Sequence, residues 1–437
     1  MQSSESSSSL RERISKRLYH PAAVIVLRII IGGLFIFSGF VKAVDPWGSC
    51  IKIGEYFTAW GIDMPQPLVT CCSFLLAGYE FVWGAMLLLG CYKRCSVWCL
   101  TLMMAFMLPL TLYIAVADPV DDCGCFGDYL VISNTATFVK NIFITLGLIY
   151  LLLFNRRCGG LFVPYVQWVI GGIVTLYILI IELVGFNVQP LIDFRRFAPG
   201  EKLVSTTMEE SDGETVYEYG YEKDGEYRTF TIDNLPDSTW TFVDRTLIGG
   251  SETVEDDFTI LDEEGDNIAP DIIAGSGGQF IVTIPDISAV DLSCTYLINE
   301  LNEYMVSHGE SLVAFISSDS IGMEWWKDVS MASYPIFQGD PKLLKELARG
   351  NAALVYMEDG IVKWKRTLSS ISYTQVTETP GNELLGFLDP EPGYVLRLVT
   401  IFFLTVLAIL LILDRSGKML AWHLSRKSRK APESGSA

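Results

Sequence analysis

The chain has 437 residues, 50% of them hydrophobic, and a formal net charge of −19. It is too apolar for an ordinary soluble protein and too long for one domain. Of its 51 acidic residues, 38 lie between positions 189 and 391 with only 13 of the 32 basic ones; a block so acidic repels nucleic acid, which excludes DNA and RNA as partners.

Residues 1–21, which include SSESSSS, read as a disordered cytoplasmic tail. Apolar runs long enough to cross a bilayer follow at about 22–43, 68–90, 95–117, 136–155 and 165–187, with a sixth at about 394–413. Each must be helical, because lipid offers no partner to a strand's backbone groups. The first run is too long for the apolar core of a cleavable signal and no small-x-small site follows it, so it reads as retained. Basic residues set the orientation. Arg11, Arg13, Lys16 and Arg17 precede the first run, Lys93 and Arg94 separate the second from the third, and Arg156 and Arg157 follow the fourth. Arg415, Lys418, Arg426, Lys427, Arg429 and Lys430 follow the sixth, whereas segments 44–67 and 118–135 hold the single base Lys52. The expected topology is therefore a multi-pass protein of the inner (cytoplasmic) membrane, with both termini cytoplasmic and the acidic block exported to the periplasm.

Within that block, residues 189–257 read as a β-rich segment, with YRTFTIDNL and STWTFVDRTLI as strands, followed by DFTILDEEGDN. Beyond it, QFIVTIP (279–285) is a buried-strand pattern. DLSCTYLINELNEYMVSHG (291–309) has helical apolar spacing ended by Gly309. SLVAFIS is a second strand, PKLLKELARGN a second helix, and AALVYMEDGIVKWKR a hairpin turning at Asp359-Gly360. This order implies an α/β layer with a mixed sheet. It resembles the thioredoxin-like domains of exported thiol-disulfide proteins over roughly 258–370. Active members of that group would carry CxxC where this chain reads DISAVDLS, and a Pro where it reads GNAAL with Ala352 and Ala353. Cys294, inside the helix, reads as an inert small hydrophobe. The expected fold is thus an α-helical membrane bundle of six transmembrane helices plus an exported, degenerate thioredoxin-like domain (258–391) preceded by the β-rich segment. The remaining divisions are a four-helix membrane domain (22–155), a fifth helix (164–188), a sixth (392–413) and a basic cytoplasmic tail (414–437).

The chemistry concentrates in DPVDDCGCFGDYL, residues 118–130. The chain's three histidines, His20, His308 and His423, lie far from it in sequence, which leaves Cys123 and Cys125 without a Cys/His partner. A cysteine pair with one residue between closes only a tight ring, and Gly124 supplies the backbone freedom for it. Such a bond is labile, and so small a loop removes little unfolded-state entropy, so exchange is favoured over stapling. A static disulfide and a metal site with Asp ligands remain as alternatives. Asp121, Asp122 and Asp128 would raise the thiol pKa values, and Lys42 and Lys140 would offset them. Cys50, on the neighbouring exported segment, is the expected resolving cysteine, and Cys71 and Cys72 are expected to pack in the second helix. Within the bilayer, Arg28 and Glu80 are read as an interhelical pair against a proton or ligand site, Glu182 as interfacial, and Gly32, Gly33 and Gly39 as sites of close helix packing.

RIIIGGLFIFSGFVKAVDP, then GYEFVWGAMLLLG with Glu80, then DCGCFGD ahead of TFVKN together resemble the MauE and DoxX-like membrane proteins, in the form found in Bacteroidota, over about residues 22–155. That resemblance implies a role in maturing disulfide-rich exported proteins beside a thioredoxin-like partner. It carries over Cys123 and Cys125 as the redox pair, Glu80 as the bundle carboxylate and Lys42 as the exported-side base. The leading expectation is an inner-membrane thiol-disulfide redox protein exchanging electrons with exported thiols or disulfides, with no cofactor assigned and a quinone left open. The alternatives are a non-enzymatic membrane-anchored assembly or binding factor for exported proteins and a small-solute transporter.

Overall fold

The computed structural model describes residues 19–117, 119–120, 123–204, 216–223, 226–231, 241–249, 258–260 and 267–430; between 216 and 249 and from 424 on, only the backbone is described. The expected tail segments before residue 19 and after 430 lie outside the described residues. The chain forms two compact units, one of residues up to Arg195 together with those from Pro390 on, the other of Arg196–Asp389.

The first unit is helical. Its elements are α1 (Pro21–Val44), α2 (Pro46–Ala59), α3 (Gln66–Leu89), α4 (Cys95–Ala117), α5 (Asn134–Phe154), α6 (Gln167–Asn187) and, after the second unit, α13 (Pro392–Lys430). Six of these, all but α2, are long and apolar enough to cross a membrane. The protein is a multi-pass membrane protein. Outward apolar side chains such as Leu102, Phe106 and Val116, each more than 60% exposed, are stable on such helices only against acyl chains. Proline in the first turn starts α1, α2 and α3, where its missing N–H costs nothing, and Gly90 in the left-handed region (φ +65°) ends α3.

Crossing of α1 over α3 depends on absent side chains. A Cβ on Gly39 would lie 2.5 Å from the Phe81 N and 2.6 Å from the Ala77 O, and one on Gly32 would lie 3.0 Å from the Gly84 O. Gly33, expected in the same role, faces open space. Helix α13 packs on α6 by stacking Phe403 on Tyr177, ring centroids 4.2 Å apart, with a hydrogen bond between the Tyr177 and Thr400 hydroxyls (3.0 Å). It continues to Lys430, well past the expected end at 413. Bilayer hydropathy measures the apolar stretch, not the helix, and α13 carries on as a polar helix. Helix α2 went unread because its 14 residues are too short for a membrane span. Its start is fixed by Asp45, whose carboxylate accepts from the Gly48 N–H at 3.0 Å.

In the second unit, β1 (Val216–Lys223), β2 (Glu226–Thr231) and β3 (Thr241–Gly249) form an antiparallel sheet in the order β2-β1-β3. Of DFTILDEEGDN, residues 258–260 are not strand and most of the rest lies outside the described residues. A short helix α7 (Ala269–Ile272) precedes the larger sheet of β4 (Gly278–Ile284), β5 (Ser311–Ile316), β6 (Ile336–Gln338), β7 (Ala353–Glu358) and β8 (Ile361–Thr367). Its order is β6-β5-β4-β7-β8, with β4, β5 and β6 parallel and β7 and β8 antiparallel. Helices α8 (Cys294–Ser307), α9 (Ser320–Ser330), α10 (Pro341–Leu347), α11 (Tyr373–Glu378) and α12 (Gly381–Leu388) complete it.

Central strand β4 is buried along its whole length, which explains its unbroken apolar run: Phe280, Val282 and Ile284 pack into one core and Ile281 into the core on the other face. The β7–β8 hairpin turns at Asp359 (φ +54°) and Gly360 (φ +73°), as its Asp-Gly sequence predicts. Helix α9 and strand β6 were not expected. SIGMEWWKDVS buries only Trp326, 0% exposed, and Ser330, and β6 has three residues, so neither offers the run of apolar residues that marks the other elements.

Candidate functional site

The loop from 118 to 133 joins α4 to α5; Asp118, Asp121 and Asp122 lie outside the described residues. It is tied at its far end by Asn134, whose side-chain amide donates to the Val120 carbonyl (3.0 Å), and by Ser133, which caps α5 through the Ala136 N–H. Gly124 adopts φ +62° and Gly127 φ +52°, with the Gly127 N–H donating back to the Gly124 carbonyl at 3.1 Å. Two left-handed residues three apart fold the chain into a tight turn that side-chain-bearing residues rarely adopt. The turn brings the Cys123 and Cys125 sulfurs to 3.0 Å from each other as thiols.

Helices α1, α2 and α3 hold the turn by its backbone. The Tyr56 hydroxyl donates to the Cys123 carbonyl (2.9 Å), and the Cys125 carbonyl accepts from both the Ser38 hydroxyl (2.7 Å) and the Lys42 ammonium (2.8 Å). Lys42 also donates to Ser38 Oγ at 2.8 Å and forms an ion pair with Glu80 Oε2 at 2.7 Å. Lys42 and Glu80 are 6% and 4% exposed, so each is the charge that makes the other's burial tolerable. Phe126, next in the chain, is buried against Phe37 and carries the Lys140 ammonium 4.3 Å above its ring.

This setting splits the two thiols. Cys125 is drawn down to about 6, first because the Cys123 thiol donates to it and then by the positive charges of Lys140 and Lys42, against burial and Glu80. Cys123 is driven up, first by that same donated bond and then by burial. Cys125 is thus the more acidic thiol and Cys123 the one that holds its proton longer, the asymmetry an attacking and a resolving thiol require. Asp128 is exposed, and the charges that lower the Cys125 thiol come from Lys140 and Lys42 on the helices.

Beside the pair lies a cavity of about 280 Å³ between α1, α2, α3, α4 and α5. Cys123, Gly124 and Cys125 form part of its wall, with Lys42, Glu80, Lys140 and Asn141; Ser38, Ser49, Lys52 and Tyr56 add polar groups, and most of the remainder is apolar, including Leu34, Trp60, Met103 and Met107. Cys72, expected merely to pack, also lines it, while Cys71 does not. Cys50 is buried with its thiol 3.9 Å from the Thr70 hydroxyl, outside the cavity wall, so the third cysteine at the cavity is Cys72. On α2, Ser49, Lys52, Ile53, Tyr56 and Phe57 line the cavity, whereas Cys50 does not.

Arg28 does not meet Glu80. Its guanidinium donates to the Asn155 side-chain oxygen, the Asn155 carbonyl (2.8 Å) and the Gly159 carbonyl (2.7 Å), closing the C-terminal end of α5. The antiparallel register of α1 and α3 decides this. Gly39 sits against Ala77 and Phe81 and Gly32 against Gly84, which sets Lys42 beside Glu80 and Arg28 beside Gly90. Glu182 is buried within the bundle: it is 3% exposed, and its Oε1 has no hydrogen-bond partner among the described residues. In the second unit, burial raises the Cys294 thiol to about 11, so it is unreactive at neutral pH.

Residues 20–154 match the family described as methylamine utilisation protein MauE, and residues 215–248 match a domain of unknown function, DUF8463. The first four membrane helices are MauE-like. The match spans less than half of the chain, and it takes in the whole of the cysteine turn, Lys42, Glu80 and Lys140. No curated protein and no solved structure matches.

Proposed function

We propose that the protein is a membrane thiol-disulfide exchange factor whose redox pair is Cys123 and Cys125, acting on exported proteins. The thiolate at Cys125 attacks a partner's disulfide, forming a mixed disulfide and releasing one partner thiolate. Cys123 then gives up its proton and attacks Cys125, closing the Cys123–Cys125 bond and releasing the partner's second thiolate. Run in reverse, the same steps oxidise a partner dithiol. The observation that carries this reading is the 3.0 Å approach of the sulfurs in a turn whose carbonyls are gripped by Tyr56, Ser38 and Lys42. Bases concentrated on alternate segments support a cytoplasmic position for both termini, which puts the turn and the second unit on the exported side.

The second unit, read as a thioredoxin-like domain without its own CxxC, serves here as a recognition module. Its face near α8 and α9 exposes Tyr296 (73%), Ile321 (74%) and Met331 (84%), apolar groups suited to docking a polypeptide. That patch also favours the second reading, a non-enzymatic assembly factor.

Trapping separates the two. A Cys123→Ala chain retains the attacking Cys125 thiol without its resolver and accumulates mixed disulfides on non-reducing gels at alkaline pH, whereas Cys125→Ala captures none. If neither variant traps a partner, and the Cys123→Ser, Cys125→Ser double variant supports full function while deletion of the second unit does not, the binding reading replaces exchange.

A further inference from the structure

We infer that the cavity beside the cysteine turn is the binding site of an isoprenoid quinone, which takes up the two electrons of the Cys123–Cys125 dithiol. This deepens the exchange reading and rests on it. A pair that has oxidised a partner dithiol is left reduced, and turnover needs a two-electron oxidant that can reach two sulfurs held within a helical bundle.

The walls select what can enter. Leu34, Met103, Met107 and Leu110 make the lining apolar, which disfavours a charged tripeptide thiol or a polar peptide. Trp60 and Phe106 line the cavity yet are 41% and 63% exposed, so it opens at the bundle surface, and on α4 that surface faces lipid. A volume of about 280 Å³ suits a substituted ring, with an isoprenoid tail passing out of the opening. The polar groups converge where such a ring needs them: the Lys140 ammonium and the Asn141 amide line the same cavity as the two sulfurs. A cation there stabilises the negative charge that develops on a quinone oxygen during reduction.

The electrons balance without further groups. The Cys125 thiolate adds to a ring carbon, an S–C bond forms, and the electron pair moves onto a carbonyl oxygen beside Lys140. The Cys123 thiol passes its proton to that oxygen, and its sulfur attacks Cys125. The S–S bond forms, the S–C bond breaks with its electron pair left on the ring, and one proton from water completes the quinol. Two thiols are oxidised and one quinone is reduced.

The test uses the full chain in lipid nanodiscs, reduced and kept anaerobic, mixed with decylubiquinone or a short-chain menaquinone. Quinone absorbance and alkylation of the remaining thiols are read together. The expected result is one quinone consumed per cysteine pair in the wild type and none in Cys125→Ser. Met107→Trp, which fills the cavity, should slow the reaction by roughly tenfold or more. A photoreactive azidoquinone should label residues 103–110 or 140–144 in the wild type and in Cys125→Ser alike, a readout independent of turnover. If the pair reacts with the small apolar disulfide 2,2′-dithiodipyridine but leaves both quinones intact, the quinone inference falls and thiol exchange stands. Loss of both reactions overturns both readings. Quinone consumption that persists in Cys125→Ser, or labelling confined to other segments, also overturns the site.

Discussion

Lys42 and Glu80 form a buried ion pair of 2.7 Å, and the same ammonium donates to the Cys125 carbonyl at 2.8 Å. One cation thus neutralises a carboxylate between α1 and α3 and fixes the backbone of the cysteine turn. The two roles separate by mutation. Lys42→Met strands Glu80 as an uncompensated buried charge and should destabilise the bundle by about 3–5 kcal/mol. Adding Glu80→Leu should restore most of that loss, since an apolar replacement of similar volume is often neutral. Thiol reactivity should stay impaired in the double variant, because the Cys125 carbonyl keeps only Ser38 as a donor and the Lys42 charge is still missing. Unfolding in detergent and alkylation rates, measured on both variants, check this; full recovery of reactivity in the double variant would mean that the anchor is irrelevant.

A second expectation concerns pH. With Cys125 drawn down to about 6 by the Cys123 thiol and by Lys140 and Lys42, its thiolate persists at neutral pH and is lost as pH falls through that value. Alkylation of Cys125 should be half-maximal near pH 6. In Cys123→Ala the donor that contributes most is gone, so the midpoint moves up towards that of an ordinary thiol. Lys140→Met should move it in the same direction by a smaller amount. A midpoint unchanged by Cys123→Ala would assign the depression to the lysines alone.

Gly33 and Gly39 test the helix crossing. At Gly39 a methyl group would lie 2.5 Å from the Phe81 backbone nitrogen, which cannot yield unless α1 and α3 separate, whereas nothing lies within 4 Å of the same position on Gly33. Gly39→Ala should therefore lower the melting temperature and release the Lys42 anchor along with the crossing. Gly33→Ala should be neutral or slightly stabilising, since alanine is the better helix former by about 1 kcal/mol. Equal effects at the two sites would contradict the crossing.

Much of this was open to a sequence reading because bilayer hydropathy and positive-φ glycines are local signals. The six long apolar helices, the left-handed Gly124 and the Asp359-Gly360 hairpin all announce themselves within a short window. What was misread depends on register between elements. Arg28 was paired with Glu80 by charge, although the spacing of small residues on α1 and α3 places Lys42 there instead. Cys50 was favoured over Cys72 by its nearness to the turn in the presumed topology, before α2 was known to be a helix with a cavity-facing side that leaves Cys50 out. A short piece such as β6, three residues long, owes its place to tertiary pairing with β5, which no window on the chain reveals.

Arg28 supplies the control that separates stability from chemistry. It precedes Lys42 by 14 helical positions, a rise of about 21 Å along α1. Its partners are the Asn155 and Gly159 carbonyls at the end of α5, where a cation offsets the exposed carbonyl ends of the helix. Arg28→Met leaves the buried Asn155 carbonyl and side chain short of a donor, at a cost of about 1–3 kcal/mol for each group left unsatisfied. The unfolding midpoint should drop, while the alkylation midpoint of Cys125 stays where it is, because Arg28 is not among the charges that set it. A shift in that midpoint in a chain that remains folded would show that the two ends of α1 are coupled, and that the turn senses the far side of the bundle.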